Sequence, residues 1–267
     1  MSSYNLRILL LSTLITILGC SKSSSFPEGE WVDLTHDFSS ETIYWPTSDT
    51  FKSTVVFEGI TDKGFFYEAK NYSAAEHGGT HVDAPIHFAE GKETLDEIPL
   101  SRLIGTAVVV DVSGRAIENP DYEIGIDDFK EWEDENGRIP DNSIVLLYTG
   151  YSRYWPDKLK YLGTERRGEE AIKDLHFPGL DPEAAKWLID NRRLKAIGLD
   201  TASIDYGQSQ LFKSHVTLFK ESVPAFENVA NLDKLPAKGA IVFALPMKIK
   251  GGSGGPLRIV AFIPHKN

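Results

Sequence analysis

Between His77 and His87, eleven positions hold three imidazoles, at 77, 81 and 87, and the Asp83 carboxylate, side chains suited to ligating a divalent metal and to moving protons. What they can do depends on where the backbone points them. Histidines at i and i+4 can share a helix face, but Gly78 and Gly79 would each cost about 1 kcal/mol in a helix, and Pro85 follows soon after. The segment is therefore expected to be extended. Alternate side chains then share a face, so the odd-numbered His77, His81, Asp83 and His87 can point the same way. Glycine permits the sharp bend that returns His77 toward His81 and Asp83. Imidazole nitrogens with a carboxylate oxygen suit Zn2+, Mn2+ or Fe2+, and one carboxylate can bridge two ions. A lone histidine would be read as hydrogen-bonded packing; a polar loop does not need this density of ligands.

A hydrolytic metal site needs more ligands than one segment supplies. Residues 209–221 read as a helix with Leu211, Leu218 and Phe219 on its apolar face, and His215 falls on that same face at i+4 from Leu211. An inward imidazole needs a partner, which is either a core hydrogen-bond acceptor or an ion.

The run His77-Gly-Gly-Thr-His81-Val-Asp83-Ala-Pro85-Ile-His87, of the form HxGTHxDxPxH, resembles the signature of the cyclase family of metal-dependent hydrolases, which includes the bacterial kynurenine formamidases. Glu227-Asn228-Val229-Ala230-Asn231-Leu232 is similar to that family's E-N-L-x-x-L segment, with a matching gap back to His215. Asp33-Leu34-Thr35-His36 with Tyr44-Trp45-Pro46 looks like its opening segment, and Thr149-Gly150, Phe177-Pro178-Gly179 and Gly198-Leu199-Asp200-Thr201 extend the resemblance over most of the chain. The resemblance implies two divalent ions, Zn2+ ahead of Mn2+: one on His77, His81 and Asp83, a second on Asp83, His215 and Glu227, with Asp83 bridging. His87 would stay unligated and transfer protons, and Trp45 would line the substrate pocket.

The implied activity is hydrolysis of an amide-type C–N bond, foremost in an aryl formamide such as N-formylkynurenine, the arylformamidase step of tryptophan breakdown. A cyclic amide such as isatin, or an ester, is the alternative within the family. The resemblance further implies a swivelling β/β/α architecture and a homo-oligomer. A rival from another class is a non-catalytic, lipid-anchored metal- or solute-binding protein, for which a spare base such as His87 has no use.

The elements that must position these groups can be read from periodicity. Strand-like runs fall at 31–34, 54–59, 65–72, 106–112, 144–148, 196–199, 240–245 and 257–263, several of them continuously apolar as buried strands are. A helix is expected over 182–193, with Asp181 as N-cap, Pro182 in the first turn, and Ala185, Leu188 and Ile189 on one face. Strands mixed with helices and no internal repeat indicate one α/β domain, spanning 30–267. Gly251-Gly252-Ser253-Gly254-Gly255 lacks the lysine and helix of a phosphate loop and reads as a flexible turn.

Residues 8–18 are almost wholly apolar and lead into Ile17-Leu18-Gly19-Cys20, which resembles a bacterial lipobox. The expectation is a signal peptide over 1–19, lipid on Cys20, a tether over 20–29, and an exported protein held to a bacterial membrane. Cys20 is the sole cysteine, so the chain forms no internal disulfide. A net charge of -11 disfavours nucleic acid and anionic membrane surfaces and suits a small neutral or cationic ligand.

Overall fold

The computed structural model describes residues 27–265, so the expected signal peptide and lipobox, Cys20 and most of the expected tether lie outside the described residues. Among the described residues twelve strands are formed: β1 (Gly29–Asp33), β2 (Lys52–Ile60), β3 (Phe66–Ser73), β4 (His81–Asp83), β5 (Ile104–Asp111), β6 (Glu123–Ile124), β7 (Ile144–Tyr148), β8 (Gly179–Leu180), β9 (Ala196–Leu199), β10 (Ala225–Glu227), β11 (Lys238–Pro246) and β12 (Gly254–Pro264). Six α-helices accompany them: α1 (Leu100–Leu103), α2 (Ser113–Glu118), α3 (Ile126–Asn136), α4 (Lys158–Leu162), α5 (Pro182–Asn191) and α6 (Lys213–Lys220).

The main sheet runs β1-β12-β11-β5-β7-β9-β10-β4, and β12 pairs again with β4, so seven strands close into a ring with β1 added outside it. Closure follows from the length of β12: its first residues, Gly254 to Pro256, pair with β4, and its remainder pairs with β11 and β1. This is the mixed α/β, single-domain arrangement expected of the cyclase architecture.

Period-two alternation divides the apolar residues between two cores. Ala107, Val109, Ile144, Leu146, Ala196, Val82 and Phe226 fill the inside of the ring. Val108, Val110, Val145, Leu147, Ile197 and Leu199 point outward against α3, α5 and α6, where Phe129, Leu188, Leu218 and Phe219 cover them. Strands apolar on both faces therefore read as continuous hydrophobic runs. On α5, Asp181 accepts a hydrogen bond from the Ala184 amide, and Ala185 and Leu188 are buried as expected.

The strand-like runs at 54–59 and 65–72 form a β2–β3 hairpin separate from the main sheet, whose Val56, Ile60, Phe66 and Tyr72 are each more than half exposed. Two expectations are corrected. The helix expected over 209–221 begins only at Lys213, because Phe212 adopts a left-handed conformation and Ser209 turns the chain before it; Leu211 is exposed rather than on the apolar face. The segment 251–255 is pinned at several points, as described below, and is no flexible turn. Among the described residues no helix is long and apolar enough to cross a membrane.

Candidate metal centre and active site

Because Val82 points into the ring, its neighbours His81 and Asp83 must point out of it, toward α6. The same logic places Glu227 outward beside the inward Phe226. Antiparallel register then sets Glu227 directly opposite His81, and puts Asp83 between two small residues, Ala225 on β10 and Gly254 on β12. His215 approaches from α6. Its Nε2 lies 3.2 Å from Asp83 Oδ2 and 3.1 Å from Glu227 Oε1. His81 Nε2 lies 3.1 Å from Asp83 Oδ1 and 3.4 Å from Glu227 Oε2.

Shared-face parity holds only for the pair on the strand. His77 reaches Asp83 because Gly78 and Gly79 turn the chain with positive φ, and a Cβ on Gly78 would collide with the Tyr44 ring. His77 Nδ1 stands 2.7 Å from Asp83 Oδ1. Past Pro85 the chain turns into a short 3-10 helix that ends at His87, whose ring stacks on His77 with centroids 3.8 Å apart.

The tautomers show that these residues suit a metal. His81 Nδ1 donates to the Gly79 carbonyl at 2.9 Å, and His215 Nδ1 donates to Asp205 Oδ2 at 2.6 Å. In the neutral rings both Nε2 electron pairs therefore face carboxylate oxygens, an arrangement that repels unless positive charge lies between. His81 Nε2 is buried and makes no hydrogen bond. A divalent ion fits this donor set, and in its absence protons take the role. Burial opposes charging His81, but the Asp83 carboxylate 3.1 Å away, with Glu227 and the Gly79 carbonyl, pushes it up to about 9. His215 is raised in the same way, against burial, by Asp205, Asp83 and Glu227. Asp83 is held well below the usual carboxylate range, against burial, by the charge of His77 and hydrogen bonds from the surrounding imidazoles. Glu227 is raised by burial and by the Asp83 charge.

Two triplets place ligand atoms within 4.8 Å of one another: His81, Asp83 and Glu227, and His77, Asp83 and His87. The second triplet differs from the expected partition, since it includes His87, and His81 stands nearer Glu227 than a division into two separate ligand sets anticipates. The structure brings all five expected ligands and His87 to one place. Asp205 is a site residue that the sequence does not mark. Its carboxylate receives the main-chain N–H groups of Ser214 and His215 as well as the imidazole, and so fixes the start of α6 and the His215 ring together.

The cluster forms the floor of a cavity of about 250 Å³ whose walls include Ile43, Trp45, Phe88 and Phe212. Trp45 meets Phe177 and Phe212 edge-on, so it is both packed and exposed to the cavity. His87 also lines the cavity. Burial, together with the positive charge of the neighbouring imidazoles, lowers it to about 4 against the pull of Asp83, leaving a neutral ring able to accept a proton. A larger, more open hollow of about 860 Å³ lined by His36, Arg153 and Trp155 lies elsewhere and contains neither triplet.

Ring closure, outward ligands and a convergent His/Asp/Glu set define a metal-dependent hydrolase fold of the cyclase type. The Cyclase family model matches residues 32–206, and the chain belongs to that family. Isatin hydrolase of Roseibium aggregatum is 32% identical over 264 residues, covering 96% of this chain and 94% of the relative. The structure of isatin hydrolase A from Labrenzia aggregata bound to benzyl benzoate superposes with a TM-score of 0.79 at 34% identity, over 88% of this chain and 94% of that one. Kynurenine formamidase of Bacillus cereus is 25% identical over 235 residues, 86% of this chain and 96% of the relative.

Proposed function

We propose that the protein hydrolyses the C–N bond of a compact, neutral aryl amide, with a cyclic amide such as isatin ahead of an aryl formamide such as N-formylkynurenine. The observation that carries this reading is the unpaired, buried His81 Nε2 facing two carboxylates at the floor of an aromatic-walled cavity. The cavity is at the small end of ligand pockets, which run to roughly 300–1,000 Å³ for drug-sized molecules. Among the described residues no Lys or Arg lines it, so the charged amino-acid tail of N-formylkynurenine would meet no cationic partner. The greater similarity to isatin hydrolase than to kynurenine formamidase supports the same order.

His77, His81, Asp83, His215 and Glu227 would hold one or two divalent ions. An ion there supplies Lewis-acid activation of water and of the substrate carbonyl. The chain's own residues do the rest. Trp45, Phe88 and Phe212 hold an aryl ring and exclude water. As water adds to the carbonyl carbon and the C–N bond breaks, neutral His87 accepts one proton released by water and returns it to the departing nitrogen, giving an amine and a carboxylic acid, which then loses its own proton to solvent.

The exposed β2–β3 hairpin supports a homo-oligomer as the working unit. It lies in the chain between Trp45 and His77, both of which line the cavity. Its aromatic and branched side chains present apolar surface that a lone soluble chain rarely leaves uncovered. Light scattering of purified protein tests this; a monomer removes it.

Elemental analysis beside a hydrolysis screen of isatin, N-formylkynurenine and aryl esters tests the function. Stoichiometric metal with turnover of isatin above the formamide is expected. Metal without turnover of any substrate would return the protein to the metal- or solute-binding class, and absence of metal would remove the reading altogether.

A further inference from the structure

Each imidazole facing Asp83 has its other nitrogen occupied, but not in the same way. His81 and His215 donate directly to an acceptor that cannot reverse, a carbonyl and a carboxylate. His77 Nε2 instead lies 2.9 Å from Ser253 Oγ, a hydroxyl that could donate or accept. Glu76 removes that ambiguity. Its Oε2 receives both the Ser253 amide at 2.9 Å and the Ser253 hydroxyl at 2.8 Å. The single hydroxyl hydrogen is thereby committed to Glu76, and Oγ can only accept from His77. We infer that Ser253, oriented by Glu76, is a positioning residue that keeps the proton of His77 on Nε2 and so presents the Nδ1 electron pair toward Asp83 and the metal.

The loop is built for this task. A Cβ at Gly254 would lie 2.5 Å from His77 Cε1 and 2.6 Å from the Val82 carbonyl, and one at Gly252 would press on the Glu76 carboxylate at 3.0 Å. The glycines thus let backbone lie flat against the ring and its acid. The Ser253 carbonyl accepts from the Ala84 amide at 2.8 Å, the Gly252 carbonyl from the Leu95 amide at 2.8 Å, and the Gly251 amide donates to Asp96 at 2.8 Å. Held at these points, Ser253 stays where it must be for its hydroxyl to read Glu76 and be read by His77.

This inference rests on the metal reading of the site. The test is a chelator-competition titration of Zn2+ into wild type, Ser253→Ala, Ser253→Thr and Glu76→Ala, with nitrogen-15 imidazole spectra of the zinc-loaded proteins. Ser253→Ala is expected to weaken Zn2+ binding about 10- to 100-fold, the usual consequence of removing a ligand's hydrogen-bond partner. Ser253→Thr, which keeps the hydroxyl, should restore it, and Glu76→Ala should fall between. Wild-type and Ser253→Thr spectra should show His77 protonated at Nε2. Equal affinity in wild type and Ser253→Ala, no rescue by threonine in a protein with native circular dichroism, or a His77 proton on Nδ1 would each overturn the inference alone. No Zn2+ binding by wild type would overturn it together with the metal reading.

Discussion

His81, Asp83, Glu227, His77 and His87 all line the cavity, but the first three sit on paired strands with their side chains at most 5% exposed, whereas His77 and His87 lie on turns at either side of β4, His77 with 22% of its side chain exposed. The strand half is positioned by register: once Val82 and Phe226 fill the ring, no freedom remains in where the acids and His81 point. The turn half is positioned by local devices, namely the Gly78-Gly79 bend, Pro85 and the 251–255 loop. Buried charge belongs where the backbone cannot yield. Groups that meet the substrate belong where solvent and ligand can reach.

The largest break should come from the strand half. Asp83→Ala removes the carboxylate shared by three imidazoles, and is expected to abolish bound metal by elemental analysis and to lower turnover about 1,000-fold or more, the loss of several kcal/mol of transition-state stabilisation. His87→Ala tests the turn half: kcat should fall by about 10²–10⁴ with metal content intact, the usual weight of a positioned acid–base. A fall in metal content as well would place His87 among the ligands, as the His77–Asp83–His87 triplet permits. Asp205→Asn, which changes what holds His215 without touching the cavity, should weaken metal binding about 10- to 100-fold, measured by chelator competition. Trp45→Ala should raise KM for an aryl substrate by about 2- to 12-fold, the range of one aromatic contact, with metal content and kcat little changed.

The mildest effect is on stability and belongs to the metal-free protein. His81 binds its proton more tightly folded than unfolded, so its contribution is fully present below its ordinary pKa of about 6.5 and is lost as pH rises through about 9. Denaturant midpoints of the metal-free protein should therefore fall across that window, while those of the metal-loaded protein should not. A flat profile without metal would show that protons do not substitute for the ion.

The local motif was legible because it names its own chemistry: glycine, proline and three histidines within eleven residues restrict both backbone and ligands. Strands β7 and β9 match the sequence reading residue for residue, since apolar faces on both sides leave no ambiguity about their ends. The strands of the hairpin were legible as well, but their exposure was not, because a taste for β structure does not say whether anything covers it. The false start of the α6 helix shows periodicity running on through a turn that Phe212 makes by backbone conformation alone. Asp205, Glu76 and Ser253 had no sequence signal, as an acid or hydroxyl becomes a histidine's partner only when distant segments meet.

The three-residue strand β4 carries His81 and Asp83 and is also the seam at which β12 closes the ring. A metal ion that crosslinks this seam to Glu227 and His215 would act as a rivet for the whole barrel. Loss of the ion and unzipping of the barrel would then be one cooperative event, and the protein's shelf life would be set by its grip on the ion.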